Sequence, residues 1–564
     1  MPGVSFCEDG VSCGADPLMM MSLPKKAAGY VLLVAWLALP SAQNTFASTN
    51  GPVGNRIDAL VAAGLKAQKI PPSPPCSDDV FVRRVFLDAI GTLPQPAEVR
   101  AFLADQHPDK RARLIDALLA RGEFADTWGL KWGDLLRIKS EFPCNLWPNA
   151  VQAYDRWVRD SIRDNKPYDQ FVRDLLTASG SNFRVPPVNF YRAFQERSPL
   201  QIADNVALVF MGLRLGESGF TTNQILGFSA FFAKVGYKST DEWKEEIVFF
   251  NPDGRLPDPA HTNLSILPAH LDGKPVALAP DQDPRAALAD WLTAPGNPWF
   301  ARSIVNRTWF WLMGHGIVHE PDDMRPSNLP WSPELLAYLQ QELVGSGFDL
   351  KRIYRLILNS DTYQRSSQPT GRNAKDDTGF SHYRLRRLDA EPLLDAINQI
   401  LGGTEKYVSP IPEPFTFLPS DQRAITLADG SMESPFLELF GRPPRNTSYE
   451  SERASGPTVF QAQHLLNSSH LEDKFERSWV LRQLVTGSAK PGAGGKRQAA
   501  EAVVKPDGPR WVEELYVRIL SRYPTEAEKQ TAVAYVEAPT RKPADAVCDL
   551  AWALVNTREF VLRH

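Results

Sequence analysis

A chain of 564 residues that is 43% hydrophobic and 23% charged holds enough apolar material for two or more cores, and its length suggests roughly two to four domains. Its 62 basic and 66 acidic residues leave a formal net charge of −4, with no long run of one sign. That excludes the electropositive stripe a phosphate backbone requires, so no nucleic acid is expected among the partners.

In chain order, Lys25 and Lys26 precede an apolar run, Ala27 to Leu39, which ends at Pro40 and gives way to small and polar residues from Ser41 to Asn50. Charged, apolar and small-residue stretches in that order predict a secretory leader over residues 1–47, cleaved after Thr45-Phe46-Ala47. Thirteen apolar residues fall short of the ~20 that span a bilayer, which favours a cleaved leader over an anchor. Residues 1–20 fit neither a leader nor a domain, so translation can start at Met1, Met19, Met20 or Met21. The mature chain is expected in the periplasm or outside the cell, with no membrane span after leader removal. It keeps Cys76, Cys144 and Cys548, enough for at most one disulfide and spaced unlike a zinc site.

The 47 prolines cluster in connectors such as Pro71-Pro72-Ser73-Pro74-Pro75 and Pro410 to Pro414. From Ser77 the apolar spacing is helical: Val82 to Leu87 lie in a first helix that Gly91-Thr92-Leu93-Pro94 stops. A second helix starts near Pro96 with Val99, Phe102 and Leu103 on its stripe, and a third covers 111–121. Amphipathic stretches follow at 124–139, 149–164, 168–178 and 200–215. The turn Asn251-Pro252-Asp253-Gly254 opens a small β-containing linker, 251–284, between an N-terminal helical domain (55–250) and a C-terminal one (285–564). Helices resume at 285–314, 333–346, 350–360 and 389–402; 403–458 is a long loop region, and 487–508 a flexible surface insertion. The fold class predicted is mainly α, a two-lobed, multi-helix architecture.

An internal repeat accompanies this pattern. Leu93-Pro94-Gln95-Pro96-Ala97-Glu98 is echoed by Tyr523-Pro524-Thr525-Glu526-Ala527-Glu528. The helix ending at Leu118 to Phe124 is echoed by Leu554 to Phe560 and by Ile357 to Tyr363. Proline and glutamate in a first turn start helices, so the repeat reads as packing grammar for helical hairpins.

Several motifs carry a resemblance. They are Arg83-Arg84-Val85-Phe86-Leu87-Asp88 with Gly91 and Pro94, Trp128 to Asp134, and Pro167-Tyr168-Asp169-Gln170-Phe171-Val172. Later come Leu288-Ala289-Asp290-Trp291-Leu292, Arg302 to Trp309, Leu388-Asp389-Ala390-Glu391 and Pro457-Thr458-Val459-Phe460-Gln461-Ala462. In this order they make the chain resemble the paired domains of unknown function 1549 and 1553, the planctomycete cytochrome-associated family, from about residue 55 to the end. The resemblance implies no particular reaction. Many relatives carry a Cys-x-x-Cys-His haem attachment where this chain has Gly216-Glu217-Ser218-Gly219-Phe220-Thr221, and a Cys-x-Cys pair where it has Tyr449-Glu450-Ser451. Without two thiols and a histidine no c-type haem attaches there, and no cofactor is expected.

The densest polar stretch holds Arg442, Arg445, Glu450, Glu452 and Arg453 on a proline-stiffened loop. It could bind an anionic ligand by bidentate guanidinium contacts, or lock the loop through internal ion pairs. Arg302, Asn306 and Arg307 lie on an otherwise apolar helix and need partners such as Asp322 or Asp323, which favours structural ion pairing. His315 and His319 stand four apart, as metal ligands on a helix can, but Gly314 and Gly316 argue against a helix, and no metal is expected. Gly216 to Gly219 is one residue short of a nucleophile elbow, and no phosphate-cradling loop occurs. The 14 tryptophans, including Trp128, Trp132, Trp147 and Trp157, could line a carbohydrate groove but suit core packing better. These features predict a cell-envelope binding or accessory component working with a secreted enzyme or cytochrome. The alternative is a secreted enzyme acting on an anionic polysaccharide through the Arg/Glu loop.

Overall fold

The structure is a computed structural model that describes residues 56–261, 263–487 and 507–564, all within one compact unit. The predicted leader and residues 488–506 of the predicted insertion lie outside the described residues. Helix makes up 52% of the structure and strand 5%, so the fold is mainly α. Among the described residues no helix is long and apolar enough to cross a membrane.

The helix Asp78–Ile90 is the spine. Asp78 and Asp79 place negative charge in its first turn, and Gly91 ends it in the left-handed conformation at φ 60°. It is buried on every side, including Arg83, Arg84 and Asp88. Buried charges need partners, and these find them far along the chain. Arg83 donates to the carbonyls of Ile519 (2.7 Å) and Phe560 (2.8 Å), and Arg84 to those of Tyr363 (2.7 Å), Arg365 (2.9 Å) and His564 (2.8 Å).

Two apolar cores meet on this helix. The larger gathers residues from Ile57 to Tyr383 together with Ala428. The smaller takes Leu87 and Leu93 and then residues from Leu388 to Phe560. The cores therefore part between Tyr383 and Leu388, and side chains on both sides of 251–284, such as Phe232 and Leu288, share the larger one. The strands also sit earlier than that stretch. β1 (Gly180–Ser181), β2 (Val235–Ser239) and β3 (Glu246–Phe250) form an antiparallel sheet in the order β1-β3-β2, with Tyr237 opposite Val248. Within 251–284 only the isolated bridges Pro257–Ser265 and Ala269–Pro275 are described.

The repeated helix starts are built alike. Gln95 with Glu98, and Thr525 with Glu528, form capping boxes at the helices Pro96–Ala104 and Glu526–Val536. Arg121 pairs with Glu98 (2.8 Å) and Glu123 (2.6 Å); Arg522 pairs with Glu528 (2.8 Å) and Glu559 (2.6 Å). Phe124, Tyr363 and Phe560, which close the three helix-end turns, are all buried. At the C-terminus β5 (Leu562–Arg563) pairs with β4 (Arg386–Arg387), which carries Arg563 to Asp88. Cys76, Cys144 and Cys548 are free thiols.

Candidate functional site

The helix Gly122–Leu135 turns Trp128 and Trp132 into the larger core. Lys131 and Asp134, three apart, share another face of it. Asp389 and Glu391 stand at the start of the helix Ala390–Leu401, and the 442–453 loop closes over both helix faces.

Asp134 receives two loop arginines. Arg445 Nε donates to its Oδ1 at 2.9 Å, and Arg453 Nη2 to its Oδ2 at 2.6 Å. Arg445 also donates to the carbonyls of Ile138 (2.9 Å) and Ala428 (2.6 Å), from a residue held at φ 56°. Arg453 reaches Glu391 at 2.7 Å, through a carboxylate with no exposed side-chain surface. Lys131 pairs with Asp389 at 3.0 Å; Arg563 bridges Asp389 (3.3 Å) and Asp88 (2.9 Å). Burial works to raise the Asp134 and Asp389 carboxyls, but the charges of Arg453, Arg445 and Lys131 on the first, and of Lys131, Arg563 and Arg453 on the second, hold both below the usual range.

Glu450 sits at the edge of this network. Its backbone N–H donates to Asp322 Oδ2 at 2.7 Å. Burial pushes its carboxyl up, the charges of Lys131 and Arg307 pull it down, and Asp322 pushes it up again, so it protonates more readily than a free glutamate. Glu452 folds back and accepts the N–H groups of Asn446 and Thr447, each at 3.1 Å. Arg442 donates to the carbonyl of Met432, and burial lowers its pKa.

Of the residues proposed on helix Phe300–Met313, Arg307 alone reaches the loop's surroundings. It binds Asp322 at 2.6 Å and donates to the Val209 carbonyl (3.0 Å), near the negative end of helix Pro199–Met211. Asn306 instead exchanges two 2.9 Å bonds with the backbone of Val318. Arg302 is half-buried, which lowers its pKa, and it does not join the cluster. Asp323 pairs with Arg325 at 3.0 Å. Sequence reasoning missed Lys131, Asp134, Asp389 and Glu391 as site residues. The available signal was polar residues set into the helices Gly122–Leu135 and Ala390–Leu401, whose other positions are mostly apolar.

The network joins Asp88, Lys131 and Asp134 from the first part of the chain to Asp389, Glu391, Arg445, Arg453 and Arg563 from the last. Its chemistry is that of a clamp. Tyr449 also lies beside the residue two positions before the 216–221 segment, with the Arg214 guanidinium 5.2 Å from its ring centre.

His315 and His319 stack at 4.0 Å, but in a turn, since Gly314 ends the helix at φ 76°. Among the described residues no three His, Cys, Asp or Glu side chains are grouped to hold a metal ion. Burial, then the neighbouring His319 and Arg384, push His315 down to about 4; burial and Arg83 push His564 down to about 4 as well. Both are neutral in the fold while the unfolded chain takes protons near pH 6.5, so their contribution is intact above pH 6.5 and is lost as pH falls towards 4. Across that window His315→Gln is expected to lose less stability than the wild type, by at most about 3 kcal/mol. Thermal unfolding of both proteins at pH 7 and pH 4.5 measures it.

Compared with known proteins, residues 56–216 match PSCyt2, Protein of unknown function (DUF1549), and residues 284–536 match PSD1, Protein of unknown function (DUF1553). No curated protein and no solved structure matches the chain.

Proposed function

The chain belongs to the family that pairs the DUF1549 and DUF1553 domains, and from that premise we propose that it is an exported accessory protein of the cell envelope that docks onto a protein partner, a secreted enzyme or cytochrome. The observation that carries this reading is the helix Val459–Asn467. A capping box of Thr458 and Gln461 fixes its start, and the Gln461 side chain is tied to the Leu439 carbonyl at 2.9 Å. Yet Val459 is 81% exposed, Phe460 72% and Leu466 40%. Val459, Ala462 and Leu466 fall at i, i+3 and i+7 and so share a face, with Phe460 beside it. A rigid helix with its apolar side in water is the form that helix-in-groove recognition uses.

The enzyme alternative needs Arg445 and Arg453 to meet an anionic polysaccharide, and both already have carboxylate partners. Export rests on the Lys25-Lys26 and Ala27–Leu39 pattern. Tagged protein recovered from its native envelope is expected to bring a partner with it, with haem in the partner rather than in this chain. Phe460→Asp is expected to cut that recovery at least ~10-fold without changing circular dichroism, since burying a phenylalanine contributes about 1.5–3 kcal/mol. Equal recovery by the variant, or a native product in the cytosol with its first 47 residues intact, sinks the reading.

A further inference from the structure

A second exposed surface uses none of the residues of that helix. Trp147, which precedes the helix Pro148–Arg163, meets Trp243 at the tip of the β2–β3 hairpin (ring centres 4.6 Å apart, planes at 76°). Phe415, from the long loop before the candidate site, completes the corner at 5.5 Å from Trp147 and 5.0 Å from Trp243. Trp243 is 55% exposed and Phe415 42%, with Phe417 two residues on at 73%. Three chain segments far apart in sequence thus place aromatic rings together in water. Two of them do so from left-handed backbone at non-glycine residues, Trp147 (φ 73°) and Lys244 (φ 63°). Side chains that served only the core would gain nothing from this arrangement.

We propose that this aromatic corner binds a neutral glycan. A pyranose offers an apolar C–H face to an aromatic ring and hydroxyls that both donate and accept at its edge. The Lys244 ammonium lies over the Trp147 and Trp243 rings, 5.0 and 5.7 Å from their centres, and leaves their other faces to a ligand; the exposed carboxylates Asp241 and Glu242 adjoin Trp243 in sequence, and Glu413 precedes Phe415 by two residues. One cation among three carboxylates disfavours a polyanion. The size fits as well. Three partly exposed rings present on the order of 300 Å², well under the ~800 Å² a side of a stable protein interface, which suits about one or two sugar rings.

Native affinity gel electrophoresis of the mature chain through xylan, glucomannan and dextran, with alginate as the polyanion, tests this. At least one neutral polysaccharide is expected to retard the wild type. The double variant Trp243→Ala/Phe415→Ala is expected to weaken that retardation about 10-fold at an unchanged thermal midpoint, because both side chains stand at the surface. Tryptophan fluorescence is expected to shift on adding oligosaccharides of the retarding polymer to the wild type and not to the variant. No retardation by any of the three neutral polymers, retardation by alginate alone, or equal retardation of the variant overturns the proposal. So does finding that the variant instead changes the oligomeric state or loses a protein partner.

Discussion

Alanine in place of Asp88 is expected to cost the fold about 3–5 kcal/mol, the largest loss of any single substitution considered. The carboxylate has no exposed surface and accepts from the Tyr363 and Tyr383 hydroxyls, each at 2.8 Å, and from Arg563 at 2.9 Å, with Arg386 at 3.6 Å. Its removal leaves the Arg563 guanidinium and two phenols short of an acceptor, and takes from Arg386 its nearest opposite charge. Asparagine keeps part of the hydrogen bonding and is expected to cost less. Denaturant unfolding followed by tryptophan fluorescence measures the loss, and hydrogen exchange should show β5 opening first. For contrast, the exposed pair Arg355–Asp116, with side chains 53% and 47% accessible, is expected to contribute at most about 1 kcal/mol. Equal effects at the two sites would show that burial does not govern these pairs.

Asp322→Ala is expected to be nearly as damaging and more informative. Arg307 and Asp322 are each 1% exposed, and the second Asp322 oxygen holds the backbone of Glu450. Losing the carboxylate strands the Arg307 charge, at about 3–5 kcal/mol, and frees the loop that Glu450 anchors. Hydrogen exchange across 446–453 is expected to accelerate. The double variant Arg307→Met/Asp322→Leu is expected to regain most of the stability, because well-packed apolar groups can replace a buried ion pair, while exchange in the loop stays fast. Recovery of both properties together would separate the loop from this anchor.

Local order was legible in the sequence; the long-range contacts that make the site were not. The helix from Ser77, its stop at Gly91 and the helix starts at Pro96 and after Pro524 each depend on a few adjacent residues, and all stand where spacing and punctuation place them. The loop at 442–453 stood out by its charge density, and an internal ion-pair network was one of its two readings. Its partners could not be read: Asp134 lies 319 positions from Arg453, and nothing in either segment names the other. Gly314 and Gly316 argue against a helix through the histidine pair, and Gly314 does end the helix before it. The β2–β3 hairpin gives no local turn signal, because its tip, Thr240 to Glu245, carries charges and Trp243 in place of an Asn-Gly turn. Trp128 and Trp132 proved to be core, as helical spacing favours, whereas Trp147 turns to the surface beside a partner 96 positions away that periodicity cannot reveal.

Docking through the helix Val459–Asn467 is the claim on which the functional account rests. A photo-crosslinking amino acid at position 460, activated in the native envelope, tests it most directly. One dominant crosslinked protein is expected, absent when the probe stands at the buried position 465 of the same helix. A correctly exported chain that crosslinks to no protein from position 460 would contradict it.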